Sequence, residues 1–194
     1  MYVKIAPSKQ HSNPNSYGET ATSNTGPLDI GKRRGEQMKI KEYRTALTAD
    51  RQTVIKETGR TYNADGRKCY TDPEMIANFM LDEVGTREAA EEHVYILCFD
   101  TKQHLTGLFE ASHGSVNESM FPVREIMQKS LLLGAVNIAV THNHPSGDPT
   151  PSEADKAATS RLRNAAEIIG INVIDHIITG GITGYYFSFC ENRM

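Results

Sequence analysis

The sequence predicts an α/β (α+β) domain, a mixed β-sheet with helices packed on it, preceded by a disordered leader. Three observations predict this. The short run Val94–Phe99 is continuously apolar, β-branched and aromatic, the pattern of a strand buried on both faces. Two later segments repeat apolar residues at helical spacing between recognisable start and stop signals. Between Ser8 and Pro27, fourteen of twenty positions are Ser, Thr, Asn, Gly or Pro, so ordering that stretch would cost backbone entropy with almost no apolar surface to bury.

Taken in order, residues 1–36 read as the disordered leader and 37–70 as a short β-rich segment. In the latter, Tyr43, Thr45 and Leu47 alternate with Arg44 and Ala46, Thr53-Val54-Ile55 follows, and Thr58-Gly59 and Asp65-Gly66 supply turn signals for two or three short strands. The main domain, 71–194, opens with Asp72 as N-cap and Pro73 as first helical residue. Ile76, Phe79, Met80 and Leu81 form the apolar side of a helix ending near Val84-Gly85. Val94–Phe99 and Leu105–Ala111 then pair across the Asp100–Gln103 turn. Pro122 opens a second helix with Val123, Ile126, Met127, Ser130 and Leu131 on one face and Gly134 as its stop. Asn137–Thr141 is a strand. Ser152–Ile169 is a long helix, with Ala157, Leu162, Ala165, Ala166 and Ile169 along it and Gly170 at its end. Strands at Asn172–Ile178 and Tyr185–Phe189 close the domain.

Composition narrows the function classes. The chain has 194 residues and a net charge of −3, but the charge is unevenly placed. Six Lys/Arg against three Asp/Glu make the first forty residues basic, while fifteen against twenty-one make the rest acidic. An acidic folded part argues against sequence-independent binding along a phosphate backbone. No run of about 18 apolar residues is present, so no membrane span is expected. The N-terminus carries no apolar core of a secretory signal. Three cysteines, Cys69, Cys98 and Cys190, are too few and too scattered for a disulfide framework, which points to a reducing, cytoplasmic setting.

Chemistry concentrates in the fifteen residues Thr141–Asp155, THNHPSGDPTPSEAD. Side chains two apart share one face of a strand, so His142 and His144 project together from a strand end. A loop stiffened by Pro and Gly then returns Asp155 on the first turn of the next helix. Two imidazoles and one carboxylate make three protein ligands and leave a tetrahedral position open, the arrangement of a catalytic zinc site. The same ligands also suit Fe, Mn or Co. A blander reading stands beside this one: Ser152 and Asp155 fit the S-x-x-D pattern of a helix capping box, which needs no catalysis. Convergence of imidazoles and a carboxylate at one strand end favours the metal, because their desolvation must be compensated.

His142-x-His144-x7-Ser152-x2-Asp155 resembles the signature of the JAMM (MPN+ or JAB) metallopeptidases, and the stretch His142–Ser152 is similar to the bacterial RadC branch. Glu92-His93-Val94, Pro122-x-Arg124-Glu125-Ile126 and Asp175-His176-Ile177-Ile178 extend the resemblance over residues 70 to 190. It implies a JAB/MPN, cytidine-deaminase-like architecture and one Zn²⁺ per chain held by His142, His144 and Asp155. It also implies Glu92 as general base and acid, with Ser152 helping to stabilise the oxyanion. Glu125 is the second candidate base and Glu110 a third. His93 and His176 read as hydrogen-bonded core or edge residues, Asp175 as a carboxylate able to orient a ligand histidine, and Ser146 and Asp148 as residues that shape the loop.

The resemblance thus implies a zinc-dependent hydrolase, a metallopeptidase acting on a peptide or protein. Two alternatives stay open. One is a non-catalytic accessory factor in DNA repair or mobile-element biology that binds nucleic acid or a protein partner. The other is a metal-dependent nuclease, for which only Arg124 and Lys156 are evident phosphate clamps. The link to DNA is weakened because RadC proteins carry a helix-hairpin-helix module ahead of this domain, and no Gly-x-Gly hairpin signature precedes it in this sequence.

Overall fold

The apolar runs of the sequence assemble into one eight-stranded mixed sheet with helices on both faces. The computed structural model describes residues 3–4, 37–65, 70, 72–114 and 121–194. Its strands are β1 (Val3–Lys4), β2 (Gln37–Leu47), β3 (Thr53–Asp65), β4 (Glu92–Phe99), β5 (Leu105–Gly114), β6 (Asn137–Asn143), β7 (Asn172–Thr179) and β8 (Tyr185–Ser188). The helices are α1 (Pro73–Asn78), α2 (Val123–Leu132) and α3 (Glu153–Ile169). The rest of the segment read as a disordered leader lies outside the described residues; Val3–Lys4 pairs antiparallel with Tyr185 and Tyr186.

Across the sheet the order is β1-β8-β7-β6-β4-β5-β2-β3. The β6/β7 and β2/β5 pairs are parallel and the other neighbours antiparallel. Strand β4 lies between β5 and β6, which explains its continuous apolar run: both its edges are paired and both its faces are covered. Tyr95, Leu97 and Phe99 face one core with Ile76, Met80 and Leu81 of the α1 region. Val94, Ile96 and Cys98 face the other, with Ile126 and Met127 of α2 and Leu162 and Ala166 of α3. Burial of these side chains, at roughly 25 cal/mol per Å² of apolar surface, is the main force holding the layers together.

Three local expectations are corrected. Thr58-Gly59 is not a turn but a bulge within β3: Gly59 takes φ +92° where the β2/β3 register shifts between Lys41 and Tyr43. The first helix is α-helical only to Asn78 and continues as a wider π-turn segment, Phe79–Val84, that buries Phe79, Met80 and Leu81 in succession. Strand β5 runs three residues past Ala111 to Gly114. Among the described residues, no helix is long and apolar enough to cross a membrane.

Candidate metal centre

The register of the central strands brings the chemistry together. Val94 of β4 pairs with His142 of β6, which sets Glu92 at the start of β4 beside the end of β6. Beyond β6, the His144 backbone N–H donates to Thr179 O at 2.8 Å, prolonging the contact with β7. The chain then turns through Gly147 at φ +86°. Gly147 O accepts from Thr183 Oγ1 at 2.8 Å, clasping this loop to the 180–184 turn. A Cβ on Gly180 would lie 2.6 Å from Thr183 Oγ1 and against Gly147 O, so the clasp requires glycine there. Asp148 shapes the same loop, its Oδ1 accepting from Thr150 N at 2.9 Å and Thr150 Oγ1 at 2.5 Å.

Ser152 is the N-cap of α3 and Asp155 its third residue, and they form a complete capping box. Ser152 Oγ accepts from Asp155 N at 3.2 Å, while Asp155 Oδ2 accepts from Ser152 N at 2.8 Å and from Ser152 Oγ at 2.6 Å. The capping and metal readings are therefore compatible. Asp155 spends Oδ2 on the cap and leaves Oδ1 facing His142 Nε2 at 3.4 Å.

His142 Nε2 and His144 Nε2 are 3.0 Å apart, and His144 Nε2 is 3.8 Å from Asp155 Oδ2. His144 Nδ1 donates to Asp148 O at 2.7 Å; a carbonyl only accepts, so the proton is on Nδ1 and Nε2 offers a lone pair. Tetrahedral Zn²⁺ with ligand bonds near 2.0–2.2 Å needs donor atoms about 3.3–3.6 Å apart. His142 Nε2 lies 3.0 Å from His144 Nε2 and 3.4 Å from Asp155 Oδ1, close to that spacing, and the donor types, two imidazoles and a carboxylate, are those zinc takes. Among the described residues these three are the group of metal-ligating side chains close enough to share an ion. Burial pushes the His142 imidazole down to about 4, against the pull of Asp155 and with His144 adding to the drop. His144 and Asp155 keep 15% and 18% of their side chains exposed, whereas His142 is buried.

The three candidate bases separate by position. Glu92 is half-buried; burial raises its carboxyl, His144 lowers it and Asp155 raises it, which places it within electrostatic reach of two members of the cluster. Glu125, on the first turn of α2, lies 3.4 Å from Arg124 Nη1. Glu110 is taken by His93 Nδ1 at 2.7 Å and His113 Nδ1 at 3.4 Å. Asp175 does not orient a histidine ring: its carboxylate accepts from Ser188 Oγ, Cys190 N and His176 N. The ring that reaches His142 is that of the next residue, His176.

Sequence reasoning missed Asn143, the residue between the two histidines. Its buried amide donates to Glu91 O and accepts from His93 N, each at 2.9 Å. It thus pins the backbone on both sides of Glu92. Its place in the histidine motif was the available signal, but its partners lie some fifty residues away in the chain.

A family model described as RadC-like JAB domain matches residues 70–194. Among curated proteins, the chain is 38% identical over 122 residues to a UPF0758 protein of Pelobacter propionicus, covering 63% of this chain and 52% of that one. It is 40% identical over 125 residues to one of Trichlorobacter lovleyi, covering 64% and 53%. A third, from Desulfitobacterium hafniense, is 33% identical over 169 residues, covering 84% and 73%. The matches span about half the length of the first two relatives.

Proposed function

The chain belongs to the RadC-like JAB domain family, and from that premise we propose that it is a zinc-dependent hydrolase of the JAMM class, a metallopeptidase acting on a peptide or protein. The observation that carries this reading is the donor triad of His142, His144 and Asp155, with His142 Nε2 3.0 Å from His144 Nε2 and 3.4 Å from Asp155 Oδ1, accompanied by a raised carboxyl at Glu92. His142 Nε2, His144 Nε2 and Asp155 Oδ1 would hold the ion. Zn²⁺ bound there would supply Lewis acidity, acidifying water and polarising the scissile carbonyl.

The chain's own residues supply the rest. Glu92 takes the proton of the attacking water on its carboxylate and returns it to the leaving amine nitrogen, the paired roles of a general base and acid. Asn143 holds Glu92 in place by fixing residues 91 and 93. The Ser152 hydroxyl, bonded to Asp155 Oδ2 at rest, turns to donate to the oxyanion as it forms. Zinc-loaded protein should cleave members of a quenched-fluorescent peptide library, and chelation or Glu92→Gln should stop it. Zinc-loaded protein that cleaves no peptide while Glu92→Gln behaves identically would count against the peptidase reading.

A further inference from the structure

Beneath the donor set, a run of buried hydrogen bonds joins one ligand to another through two side chains that the hydrolytic roles leave unused. His176 of β7 is fully buried. Its ring stacks on Phe189 with centroids 4.7 Å apart and an interplanar angle of 5°, and Phe121 flanks it at 5.0 Å. Both its nitrogens are engaged: Nε2 lies 2.9 Å from His142 Nδ1, and Nδ1 lies 2.6 Å from Thr159 Oγ1. Thr159 Oγ1 is also 2.6 Å from the backbone oxygen of Asp155, one turn back on α3.

Counting protons sets the direction of every bond. A carbonyl oxygen only accepts, so the single hydroxyl proton of Thr159 goes to Asp155 O. Thr159 Oγ1 must then accept from His176 Nδ1–H. Full burial between two phenyl rings, with both ring nitrogens on neutral partners and, among the described residues, no carboxylate against them, disfavours the imidazolium form of His176. A neutral imidazole carries one N–H, so His176 Nε2 is an acceptor and His142 donates to it from Nδ1. His142 is left with a lone pair on Nε2, the atom that faces His144 and Asp155.

We propose that His176 and Thr159 are positioning residues that lock His142 in its Nδ1–H tautomer, so that the centre presents three lone-pair sites and no proton to a divalent cation. The proposal rests on the metal-centre reading above and extends it to the residues that prepare the ligand. His144 is prepared in the same sense by Asp148 O. Two unprotonated nitrogens 3.0 Å apart beside a carboxylate turn lone pairs toward one another with no proton to bridge them, an arrangement that a divalent cation relieves. The relay also begins and ends on ligands, since Asp155 O and His142 Nδ1 are its two termini.

The test combines long-range ¹H–¹⁵N NMR of the imidazoles in metal-free wild-type protein with zinc affinity, by chelator competition, of wild type, Thr159→Val and Thr159→Ser. His142 and His176 should each be protonated on Nδ1, and zinc should displace the His142 Nε2 resonance. Thr159→Val should weaken zinc binding by about 10- to 100-fold, the usual effect of losing a partner that orients a ligand, and Thr159→Ser should restore it to within a few-fold. An Nε2–H tautomer at His142 overturns the proposal without any variant, as does a folded Thr159→Val that binds zinc as tightly as wild type. Wild-type protein that takes up no zinc overturns the metal-centre reading as well, so the two failures are distinguishable.

Discussion

Ser152→Ala separates the two jobs assigned to one hydroxyl. In the structure Ser152 Oγ accepts from Asp155 N at 3.2 Å and donates to Asp155 Oδ2 at 2.6 Å. Alanine loses both bonds but keeps its backbone N–H on Asp155 Oδ2, so half the capping box survives. Loss of a Ser N-cap costs about 1 kcal/mol, within a range of roughly 0.5–2, and the exposure of Ser152 favours the lower half because water replaces part of what is lost. For a domain of this size, about 1 kcal/mol corresponds to a Tm fall of roughly 2–4 °C. Asp155 Oδ1 keeps its place, so zinc affinity should fall by less than about tenfold, equivalent to about 1.4 kcal/mol. Hydrolysis should fall far more, by about 10²–10³ in kcat, if the hydroxyl supplies an oxyanion donor. Ser152→Gly sharpens the contrast, because glycine caps helices within a few tenths of a kcal/mol of serine yet has no hydroxyl: its Tm should stay near wild type while kcat drops as for alanine. Calorimetry and peptide turnover well below Tm measure the two effects. Wild-type kcat in Ser152→Gly refutes the oxyanion role; an unchanged Tm in Ser152→Ala refutes the cap.

Glu92→Gln should keep its zinc and lose turnover. In metal-free protein it should also be at least as stable as wild type at pH 7, because burial raises the Glu92 carboxyl and its charge there opposes folding. That advantage should shrink as pH falls below the raised pKa and be gone below the ordinary carboxyl value of 4.5, and a urea midpoint lower than wild type at pH 7 would contradict it. Asn143→Leu should strand Glu91 O and His93 N, costing about 1–3 kcal/mol, and depress turnover with zinc retained; full turnover would show that Glu92 needs no such anchor. Metal-free wild type should lose stability between pH 6.5 and about 4, since the unfolded chain binds a proton at His142 that the folded one resists until about 4. Urea midpoints recorded in chelator across that range should fall, and a flat profile would refute the burial argument.

What the sequence made legible was whatever it encodes locally. Asp72 and Pro73, and Ser152 and Gly170, mark helix ends because capping chemistry is confined to a few neighbouring residues; the structure shows Asp72 Oδ1 accepting from Glu74 N and Gly170 at φ +81°. Strand β4 was evident because paired edges and covered faces demand an apolar run. The His142, His144 and Asp155 cluster was legible because its members lie within fourteen residues. What stayed hidden depends on pairing between distant segments. The parallel contact of Tyr43 with Phe109, which adds β2 and β3 to the sheet, leaves no periodic trace in either strand. His176 reads as an ordinary core histidine because its partners, His142 and Thr159, are 34 and 17 residues away. Asn143 meets the backbone of Glu91 and His93, on either side of Glu92, only once β4 and β6 are in register.

The central claim is that His142, His144 and Asp155 hold one divalent ion. Elemental analysis of protein purified without chelator, or exposed to equimolar zinc and desalted, tests it most directly. One equivalent of metal per chain in wild type and none in His142→Ala or Asp155→Ala is the predicted result. Folded wild-type protein without stoichiometric metal, or alanine variants that retain it, would contradict the account.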